Sequence, residues 1–289
     1  MIEVIAPGPY ATVQDLGRPG YGHFGVPHSG AADAPSLRLA NRLVGNPESA
    51  AGVELTFGGA RLRFTTGSWV ALAGAPCPVE LSRPRGTTPV RVPLGMYAPF
   101  WAAPGDELRV GIPPVGLRTY VAIRGGLDTP VVMGSRSTDS LSGLGPPPLG
   151  PGTVLPVGPT GALPPLTVDA AAPPGAMTDV LRVLPGPRDD WFVPGAPADL
   201  CAEPYEVSQD GNRVGIRLRG TRLKRVREGE LPSEGMVAGA VQVPPNGQPI
   251  VFLADHPPTG GYPVIAVLTS ASLARAAQLR PGDRIRFRM

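Results

Sequence analysis

The stretch that decides the fold is TVQDLGRPGYGHFGVPHSGAADAPSLRLANRLVG, which runs from Thr12 to Gly45. Its first two thirds are so rich in glycine and proline that they predict a loop rather than a helix or strand before Asp33. A tightly held loop can aim polar groups at a ligand, although a purely structural loop is equally compatible with these residues. The polar groups in question are Gln14, Asp15, Arg18, His23, His28, Ser29 and Asp33.

A short amphipathic helix is predicted directly after the loop. Asp33 is a suitable N-cap, and Gly45 is a natural stop after the last turn. The apolar face between them is formed by Leu37, Leu39, Ala40, Leu43 and Val44.

The composition predicts a mainly β protein. The chain has 289 residues, 42% of them hydrophobic, which is enough for a substantial core. Glycine and proline number 39 each, and they separate short β-branched runs such as Ile250 to Leu253. Short strands joined by turns explain this alternation better than disorder does.

The charge pattern excludes several kinds of site. The formal net charge is only +3, and Lys224 is the single lysine. The chain therefore has no GxxxxGK[ST] phosphate loop, and no lysine in a setting suited to biotin or a Schiff base. The basic run from Arg217 to Arg227 alternates with Leu and Val, so we interpret it as a half-exposed strand. A nucleic-acid patch is the alternative, but no aromatic residues interleave with the charges.

The cysteine, histidine and hydropathy patterns argue against disulfide-rich, metal-binding and membrane-spanning classes of protein. Cys77 and Cys201 form no CxxC pair, which leaves disulfide frameworks and zinc clusters unsupported. The three histidines are scattered, so no metal site is expected. No GxSxG elbow occurs, and a Ser-His-Asp assembly of Ser29, His28 and Asp33 is unsupported because adjacent residues rarely point at one another. The sequence therefore shows no self-sufficient catalytic set. No leader-like segment or run of about 18 apolar residues occurs, and we expect a soluble, cytoplasmic protein.

Four marks recur in the same order in the two halves of the chain, which indicates an internal duplication. The first is a strand ending in Pro-Gly-Pro, the second is a Q-D-x-x-R-x-G motif, the third is a strand before a Gly pair, and the fourth is a closing turn and strand. The paired segments are Ile2 to Pro9 and Leu181 to Pro187, Gln14 to Gly20 and Gln209 to Gly215, Tyr120 to Ser135 and Val251 to Ser270, and Leu149 to Val157 and Leu279 to Phe287.

The duplication predicts two β-barrel domains. We place the first at residues 1–158 and a second, shorter one without the long loop and helix at 180–289, with a Pro/Ala-rich linker at 159–179. Many short strands suggest closed or nearly closed barrels, and another helix is predicted near Ser270. The remaining predicted strands of the first copy are Gly52 to Leu55, Ala60 to Phe64, Ser68 to Ala73, Val79 to Leu81 and Leu108 to Gly111.

Two further polar clusters are candidates for binding. The turn from Gly134 to Asp139 places hydroxyls around Arg136, which suits a carboxylate or phosphate but also suits a helix N-cap with a surface arginine. In the second copy, the glycines between Thr259 and Tyr262 would let the backbone approach a small ligand closely, and a tight β-turn is the alternative interpretation. Ser233 to Gly235, Gln242, Asp255 and His256 accompany it.

These motifs together resemble the allophanate hydrolase subunit 2 family, also called the biotin-dependent carboxyltransferase C-terminal family. The resemblance rests on the opening stretch and on RGGLDTPVVMGSRSTD, SEGMVAGAVQVPPNGQPI, TGGYPVIA and AAQLRPGDRIRF, and it covers essentially the whole chain. It implies two cyclophilin-like β-barrels. The stand-alone bacterial members of this family include the C-type subunit of the ATP-dependent 5-oxoprolinase and an antagonist of a sporulation-kinase inhibitor.

The resemblance also implies partners and a co-substrate. A subunit-1-like protein (the B-type subunit) and a LamB/YcsF-type protein (the A-type subunit) would complete the 5-oxoprolinase, with ATP and Mg as co-substrate and no tightly bound cofactor. On this basis we expect Asp15, Arg18 and Asp33 to be catalytic, and no nucleic acid or membrane partner. The residues expected to bind substrate or ATP are Gln14, His28, Ser29, Arg136, Ser137, Glu234, Gln242, Asp255, Thr259, Gly260, Gly261 and Tyr262.

One departure from the family keeps other functions open. Before TGGYP, the family commonly has an Asp-Arg-Gln-Thr type of run, whereas this chain has Asp255-His256-Pro257-Pro258. A non-catalytic regulator that binds a subunit-1-like kinase inhibitor therefore stays an alternative. The carboxyltransferase part of a urea or allophanate pathway enzyme is another, although this chain has no biotin-bearing lysine. Prolyl isomerase activity would rest on fold analogy alone.

Overall fold

The computed structural model describes residues 1–85, 88–173, 175, 178–229 and 231–289. Its contacts define two compact units. The first unit comprises Met1–Arg18, Asp33–Thr138 and Gly143–Gly175, and the second comprises Pro19–Ala32, Asp139–Ser142 and Ala176–Met289. Both units are built mainly of strands, which confirms the predicted fold class.

The first unit contains eleven strands and one α-helix in its described residues. The helix α1 spans Ala34–Leu43. The strands are β1 (Ile2–Ala6), β2 (Tyr10–Gln14), β3 (Gly52–Thr56), β4 (Ala60–Phe64), β5 (Ser68–Gly74), β6 (Val79–Arg83), β7 (Val90–Leu94), β8 (Phe100–Ala102), β9 (Glu107–Val110), β10 (Arg118–Ile123) and β11 (Val154–Leu155).

These strands form two antiparallel sheets that enclose one hydrophobic core. One sheet has the order β11-β1-β4-β9-β6-β7, and the other has the order β2-β3-β10-β5-β8. The pattern of β4 shows why the sheets close over a core. Ala60, Leu62 and Phe64 point inward and are buried, whereas Arg61 and Arg63 between them face outward, where both lie within 4 Å of Glu107.

The connection between β3 and β4 requires glycine. Phe57, Gly58 and Gly59 all have positive φ, at 61°, 60° and 73°. A methyl group at Gly58 would lie 2.0 Å from the carbonyl oxygen of Gly111, so a side chain there would collide with backbone. The turn is thus held by close backbone packing rather than by side chains.

The helices that the structure describes in the second unit are α2 (Ala196–Ala202) and α3 (Ser270–Ala276), with short 3-10 helices at Gly22–Phe24 and Asp189–Trp191. The strands are β12 (Val180–Pro185), β13 (Tyr205–Val207), β14 (Gly215–Arg219), β15 (Glu234–Gly235), β16 (Ala240–Gln242), β17 (Ile250–Phe252), β18 (Thr259–Gly260), β19 (Val264–Leu268) and β20 (Arg284–Arg288). Seven of these strands form a closed barrel in the order β12-β19-β16-β17-β14-β13-β20.

The two units share a run of four antiparallel strands with the same connectivity. In the first unit the run is β2-β3-β10-β5, and in the second it is β13-β14-β17-β16. In both runs, the strand that comes first along the chain lies next to the second, the second lies next to the fourth, and the fourth lies next to the third. This common topology agrees with the internal duplication inferred from the repeated motifs.

Several local predictions differ from the structure. The glycine-rich loop contains a 3-10 helix at Gly22–Phe24, because hydrogen bonds from Phe24 N to Tyr21 O and from Gly25 N to Gly22 O close one turn. The second unit has a helix after its Pro-Gly-Pro turn, α2, which we did not predict. The basic run is a strand only as far as Arg219, because β14 loses its partner strand β13 beyond this residue.

The predicted domain boundaries follow chain order, whereas the compact units do not, since Pro19–Ala32 and Asp139–Ser142 group with the second unit. The predicted linker at 159–179 has no helix or strand among its described residues, and its positions 174, 176 and 177 lie outside them. Arg124 holds part of the linker by donating hydrogen bonds to the carbonyl oxygens of Leu163 and Pro164. No helix in the described ranges is long and apolar enough to span a membrane.

Candidate functional site

Asp15 is the centre of the polar cluster in the first unit. It follows the end of β2, and its Oδ1 accepts hydrogen bonds from the hydroxyls of Ser135 and Ser137 at 2.6 and 2.5 Å and from Gly17 N at 2.8 Å. Its Oδ2 accepts a bond from Arg136 N at 2.6 Å. The carboxylate is buried, so these donors replace the water that it would otherwise bind. Asp15 thereby fixes the Gly134 to Asp139 turn against the end of β2.

Arg18 is buried in the same cluster, at the end of the segment that the sequence predicts as a glycine-rich loop. Its Nη2 donates to Ser137 O at 2.5 Å, and its side chain is 1% exposed. A substitution of Arg18 would therefore disturb packing as well as any binding.

The other predicted residues of this cluster have structural partners as well. Gln14 is fully buried, and its Nε2 donates to Thr138 O at 2.9 Å. Arg136 is half-buried, and its guanidinium donates to Thr129 O and lies 2.6 Å from Asp128 Oδ1. The structure thus brings together residues that the sequence had assigned to two separate motifs. They are Gln14, Asp15, Arg18, Arg136 and Ser137.

Asp33 is the N-cap of α1, as predicted, and this role accounts for its carboxylate. Oδ1 accepts a hydrogen bond from Ser36 N at 3.2 Å, and Oδ2 accepts one from the Ser36 hydroxyl at 2.7 Å. The backbone N–H of Asp33 donates to Tyr120 Oη at 2.8 Å. Asp33 is therefore engaged in starting the helix and in connecting it to β10.

A buried charged network next to Asp33 was missed in the sequence analysis. Tyr120 Oη donates to Glu54 Oε2 at 2.7 Å, and Arg118 Nε lies 3.4 Å from Glu54 Oε1. Burial and the nearby Glu54 carboxylate raise the pKa of Tyr120 well above its ordinary value. A glutamate and an arginine on adjacent, otherwise apolar strands, β3 and β10, were the signal available in the sequence.

The second unit has a buried polar centre of its own at Asp255, which lies just after β17. Arg213 donates to both carboxylate oxygens, with Nε 2.9 Å from Oδ2 and Nη2 3.0 Å from Oδ1. Ser29 Oγ donates to Oδ1 at 2.8 Å, and the Ser140 hydroxyl donates to Oδ2 at 2.6 Å. Asp255 thus joins residues from distant parts of the chain. Arg213 and Ser140 were not among the predicted site residues, although Arg213 is the arginine of the second Q-D-x-x-R-x-G motif.

Protonation of this centre is governed by the arginine. Burial by itself would raise the pKa of Asp255, but the Arg213 guanidinium and the Ser140 donors outweigh it and lower the pKa below its usual value. The adjacent His256 is buried, and burial lowers its pKa, with a smaller contribution from His28. His256 Nδ1 lies 2.9 Å from Pro257 O, and His28 is exposed.

The remaining predicted residues lie around a two-stranded ribbon in the second unit. Glu234 and Gly235 of β15 pair with Gly260 and Thr259 of β18. Arg188 forms a bidentate pair with Glu234, and this hydrogen bonding lowers the pKa of Glu234. Both side chains of this ion pair remain partly accessible to solvent.

Gln242 connects the barrel to the segment after this ribbon. Its Nε2 donates to Tyr262 O at 3.0 Å, and the side chain is buried. A methyl group at Gly260 would come within 2.8 Å of Gln242 Nε2, so the backbone does approach this side chain closely. Gly261 O accepts a hydrogen bond from Leu231 N at 2.9 Å, and the Tyr262 side chain is half-buried.

The chemical capacity of these groups is binding and positioning. In the described part of the chain, no three His, Cys, Asp or Glu residues are arranged to hold a metal ion. The carboxylates of Asp15 and Asp255 are occupied by N–H and O–H donors and offer no ligand set for the magnesium of ATP. Among the described residues, we therefore find no metal centre.

Two named relatives are similar to this chain over nearly its whole length. The chain is 39% identical to the 5-oxoprolinase C subunit of Escherichia coli K12 over 294 residues, which is 99% of this chain and 90% of that protein. It is 36% identical to urea amidolyase of Lachancea kluyveri over 316 residues, which is 99% of this chain but only 17% of that protein.

Solved structures show the same fold. The crystal structure of TTHA0988 matches all of this chain and 55% of that one, at a TM-score of 0.87 and 36% identity. The crystal structure of Kluyveromyces lactis urea amidolyase matches 99% of this chain with a TM-score of 0.89 and 32% identity, and this chain covers 18% of it. The sequence model of the family described as "carboxyltransferase domain, subdomain A and B" matches residues 24–289 of this chain. Because that match spans most of the chain, the protein belongs to the carboxyltransferase domain family, subdomains A and B.

Proposed function

We propose that this chain is the component of an ATP-dependent 5-oxoprolinase that corresponds to its C-type subunit. The reaction would convert 5-oxoproline, ATP and water to glutamate, ADP and phosphate. The observation that carries the proposal is the 39% identity to the E. coli 5-oxoprolinase C subunit over 99% of this chain and 90% of that protein.

The geometry supports a role within a complex rather than in an isolated enzyme. Asp15 and Asp255 each accept hydrogen bonds on both oxygens, and Asp33 caps a helix. A general base must reach the substrate to take a proton from it, and the carboxylates of Asp15 and Asp255 are buried and already bonded to protein donors. We therefore propose that a subunit-1-like protein (the B-type subunit) and a LamB/YcsF-type protein (the A-type subunit) supply the rest of the active site. ATP and Mg would be co-substrate of this complex.

Within this proposal the predicted residues divide by burial. Asp15, Arg18 and Asp33 are buried and bonded, so we assign them as positioning residues rather than as groups that touch substrate. Glu234 and Tyr262 are only partly buried, and they are better placed to contact a ligand.

The decisive experiment is co-expression of this chain with the subunit-1-like and LamB/YcsF-type proteins, followed by an assay for glutamate from 5-oxoproline. We expect ATP-dependent glutamate formation that disappears when this chain is omitted. Complete turnover without this chain would refute the proposal.

Variants sharpen the same assay. Tyr262→Phe and Glu234→Gln should lower turnover by about tenfold or more if these side chains touch substrate, since one lost hydrogen bond to a charged group is of that order. The matched control is Glu203→Gln, an exposed carboxylate of the same unit, which should leave turnover unchanged.

The second candidate is the carboxyltransferase part of a urea-type carboxylase, which the 36% identity to L. kluyveri urea amidolyase favours. This chain has no lysine suited to carrying biotin, so a biotin-bearing partner would be required. A stable complex that gives no glutamate but transfers the carboxyl group of carboxybiotin to urea, releasing free biotin, would support this candidate. A stable complex with neither activity would instead support a regulator that binds a subunit-1-like kinase inhibitor.

A further inference from the structure

A basic cavity lies in the second unit, and its lining shares no residue with the Asp255 centre or the ribbon. Its volume is about 720 Å³, and it is lined by residues 222–225 and 227–229 and by the turn 245–247. This is within the size range of small-molecule sites, roughly 300–1,000 Å³. Of the described residues that line it, four are basic and one, Glu228, is acidic. The basic residues are Arg222, Lys224, Arg225 and Arg227.

The cavity has a fixed frame. Phe192 forms a β-bridge with Arg225, Val193 N donates to Lys224 O at 3.0 Å, and Val226 N donates to Trp191 O at 2.9 Å. The basic stretch is thus attached by its backbone to the segment after β12, which leaves its side chains available to line the cavity.

Two of the cations are held in place by an aromatic ring. The guanidinium carbons of Arg225 and Arg227 lie 5.4 and 5.6 Å from the centre of the Trp191 ring, which is within range for cation–π attraction. Arg227 also lies 3.0 Å from Asp190, and Arg225 donates to Gly229 O. These contacts restrict both side chains before any ligand binds, which lowers the entropic cost of binding.

The other two cations are exposed and have no such restraint. Among the residues that the structure describes, the side chains of Arg222 and Lys224 form no hydrogen bond or ion pair. Asp190 offsets the charge of Arg227, and Glu228 also lines the cavity, but the lining still keeps a net positive charge that an anion with several charges would neutralise.

The opposite wall approaches closely because of a glycine. Gly247 has φ +74°, and a methyl group there would lie 3.0 Å from Leu223 O and 3.2 Å from the Arg222 Cβ atom. Leu223 N donates to Gly247 O at 2.9 Å. The turn 245–247 is therefore fixed against the basic stretch and gives the cavity a preformed shape.

From this arrangement we propose that the cavity binds a small molecule that carries two or more phosphate groups. Guanidinium groups match phosphate oxygens in bidentate geometry, and a lysine ammonium adds a point charge. The inference does not rest on the proposed function, because binding is measured on this chain without its partners and without turnover.

The test is isothermal titration of the purified chain with inorganic pyrophosphate, ATP and adenosine, at about 50 mM and about 300 mM salt. We expect one site per chain for pyrophosphate and ATP, weaker binding at the higher salt, and no binding of adenosine. The double variant Arg222→Gln/Lys224→Gln should weaken binding by at least about 30-fold. Arg284→Gln, an exposed arginine outside the cavity, is the control and should change affinity less than about twofold.

Three outcomes would overturn the inference. The first is absence of pyrophosphate binding at about 10 mM, which is weaker than a specific site would give. The second is an equal loss in the double variant and in Arg284→Gln, which would indicate an adventitious ion only, held by diffuse charge. The third is an oligoglutamate peptide that binds more tightly than ATP and loses its binding in the double variant, which would make the cavity a site for an acidic protein segment. Unfolding by urea verifies that both variants fold, and only exposed side chains are changed.

Discussion

Asp15 accepts four hydrogen bonds with one carboxylate, and this number determines the effect of removing it. Asp15→Ala would leave the hydroxyls of Ser135 and Ser137 and the N–H of Arg136 without their acceptor in a buried place. We expect a loss of roughly 2–4 kcal/mol in the free energy of unfolding, measured with urea. The matched control, Asp128→Asn, changes an exposed carboxylate and should cost less than about 1 kcal/mol. Equal stability of Asp15→Ala and the wild type would contradict the role we give this carboxylate.

Asp255 makes a prediction about pH. Its pKa in the folded state lies below the value of the unfolded chain, so its contribution to stability is complete above the ordinary pKa of about 4. That contribution is lost as the pH falls through the lowered pKa of the folded state. Asp255→Asn should therefore be less stable at neutral pH and should lose less stability than the wild type between about pH 5 and pH 2.

Unfolding by urea at several pH values tests this prediction, with Asp199→Asn, an exposed carboxylate of the same unit, as the control. A variant curve parallel to that of the wild type would mean that the pKa of Asp255 does not contribute to acid unfolding.

Sequence reasoning identified most of the residues in both buried centres but not how they are connected. Asp15 and Ser137 were singled out in separate motifs, and a separation of 122 positions along the chain hides their contact. Arg213 was quoted only as part of a repeat, although an arginine recurring at the same place in both copies indicated a shared structural role, and both arginines are buried. Ser140 has no local signal at all, since its role depends on where β17 ends in space.

At the scale of single elements, two variants of Asp33, the N-cap of α1, distinguish a structural role of its side chain from a catalytic one. Asp33→Ala removes the acceptor for Ser36 N and should lower the free energy of unfolding by about 1 kcal/mol. Asp33→Asn keeps a capping side chain and should be close to the wild type in stability. If Asp33 only positions the helix, the complex that carries Asp33→Asn should keep its activity in the glutamate assay, whereas the complex that carries Asp33→Ala should lose part of it. Equal inactivation by Asn and Ala would restore Asp33 as a catalytic carboxylate.

The connection between β3 and β4 gives a second prediction at this scale. Gly58→Ala would bring a methyl group against the carbonyl oxygen of Gly111 and also require positive φ. We expect a loss of at least about 3 kcal/mol in the free energy of unfolding. Gly152→Ala is the matched control, because Gly152 has φ +80° with no atom within 4 Å, and only the cost of about 1–2 kcal/mol for the left-handed backbone applies.

Strands were predictable where buried and exposed side chains alternate along a segment that pairs with a neighbouring strand on each side. Ala60–Phe64 was predicted with its observed bounds for this reason. The basic run failed beyond Arg219 because alternation of Arg with Leu describes one strand face and does not say where the neighbouring strand ends. Helix α2 was missed because its sequence, APADLCA, is too short to show an apolar stripe.

At the scale of the whole molecule, the repeated motifs predicted two mainly β units, and the shared strand order supports that conclusion. The composition of the second unit could not be predicted in the same way. Its segments Pro19–Ala32 and Asp139–Ser142 belong to it by contact rather than by position in the chain, and no pattern within a single sequence marks such an assignment.

A fragment consisting of residues 178–289 tests this composition. It contains Arg213 and Asp255 but lacks Ser29, Ser140 and the Gly30 carbonyl oxygen, which accepts a bond from Arg213 at 2.6 Å. We expect the fragment to unfold without a cooperative transition in urea, whereas the full chain unfolds cooperatively. A fragment as stable as the intact unit would show that these bonds contribute little.

The hydrogen bonds of Asp255 also constrain how this chain can have evolved. After the inferred duplication, one copy could be inherited or fused without the other only as long as all of its stabilising contacts lay within that copy. Once Ser29 and Ser140 bonded to Asp255, recombination at the Pro/Ala-rich linker would separate the barrel from side chains that complete it. The two halves are therefore expected to travel through genomes as one gene, including within much longer fusion proteins.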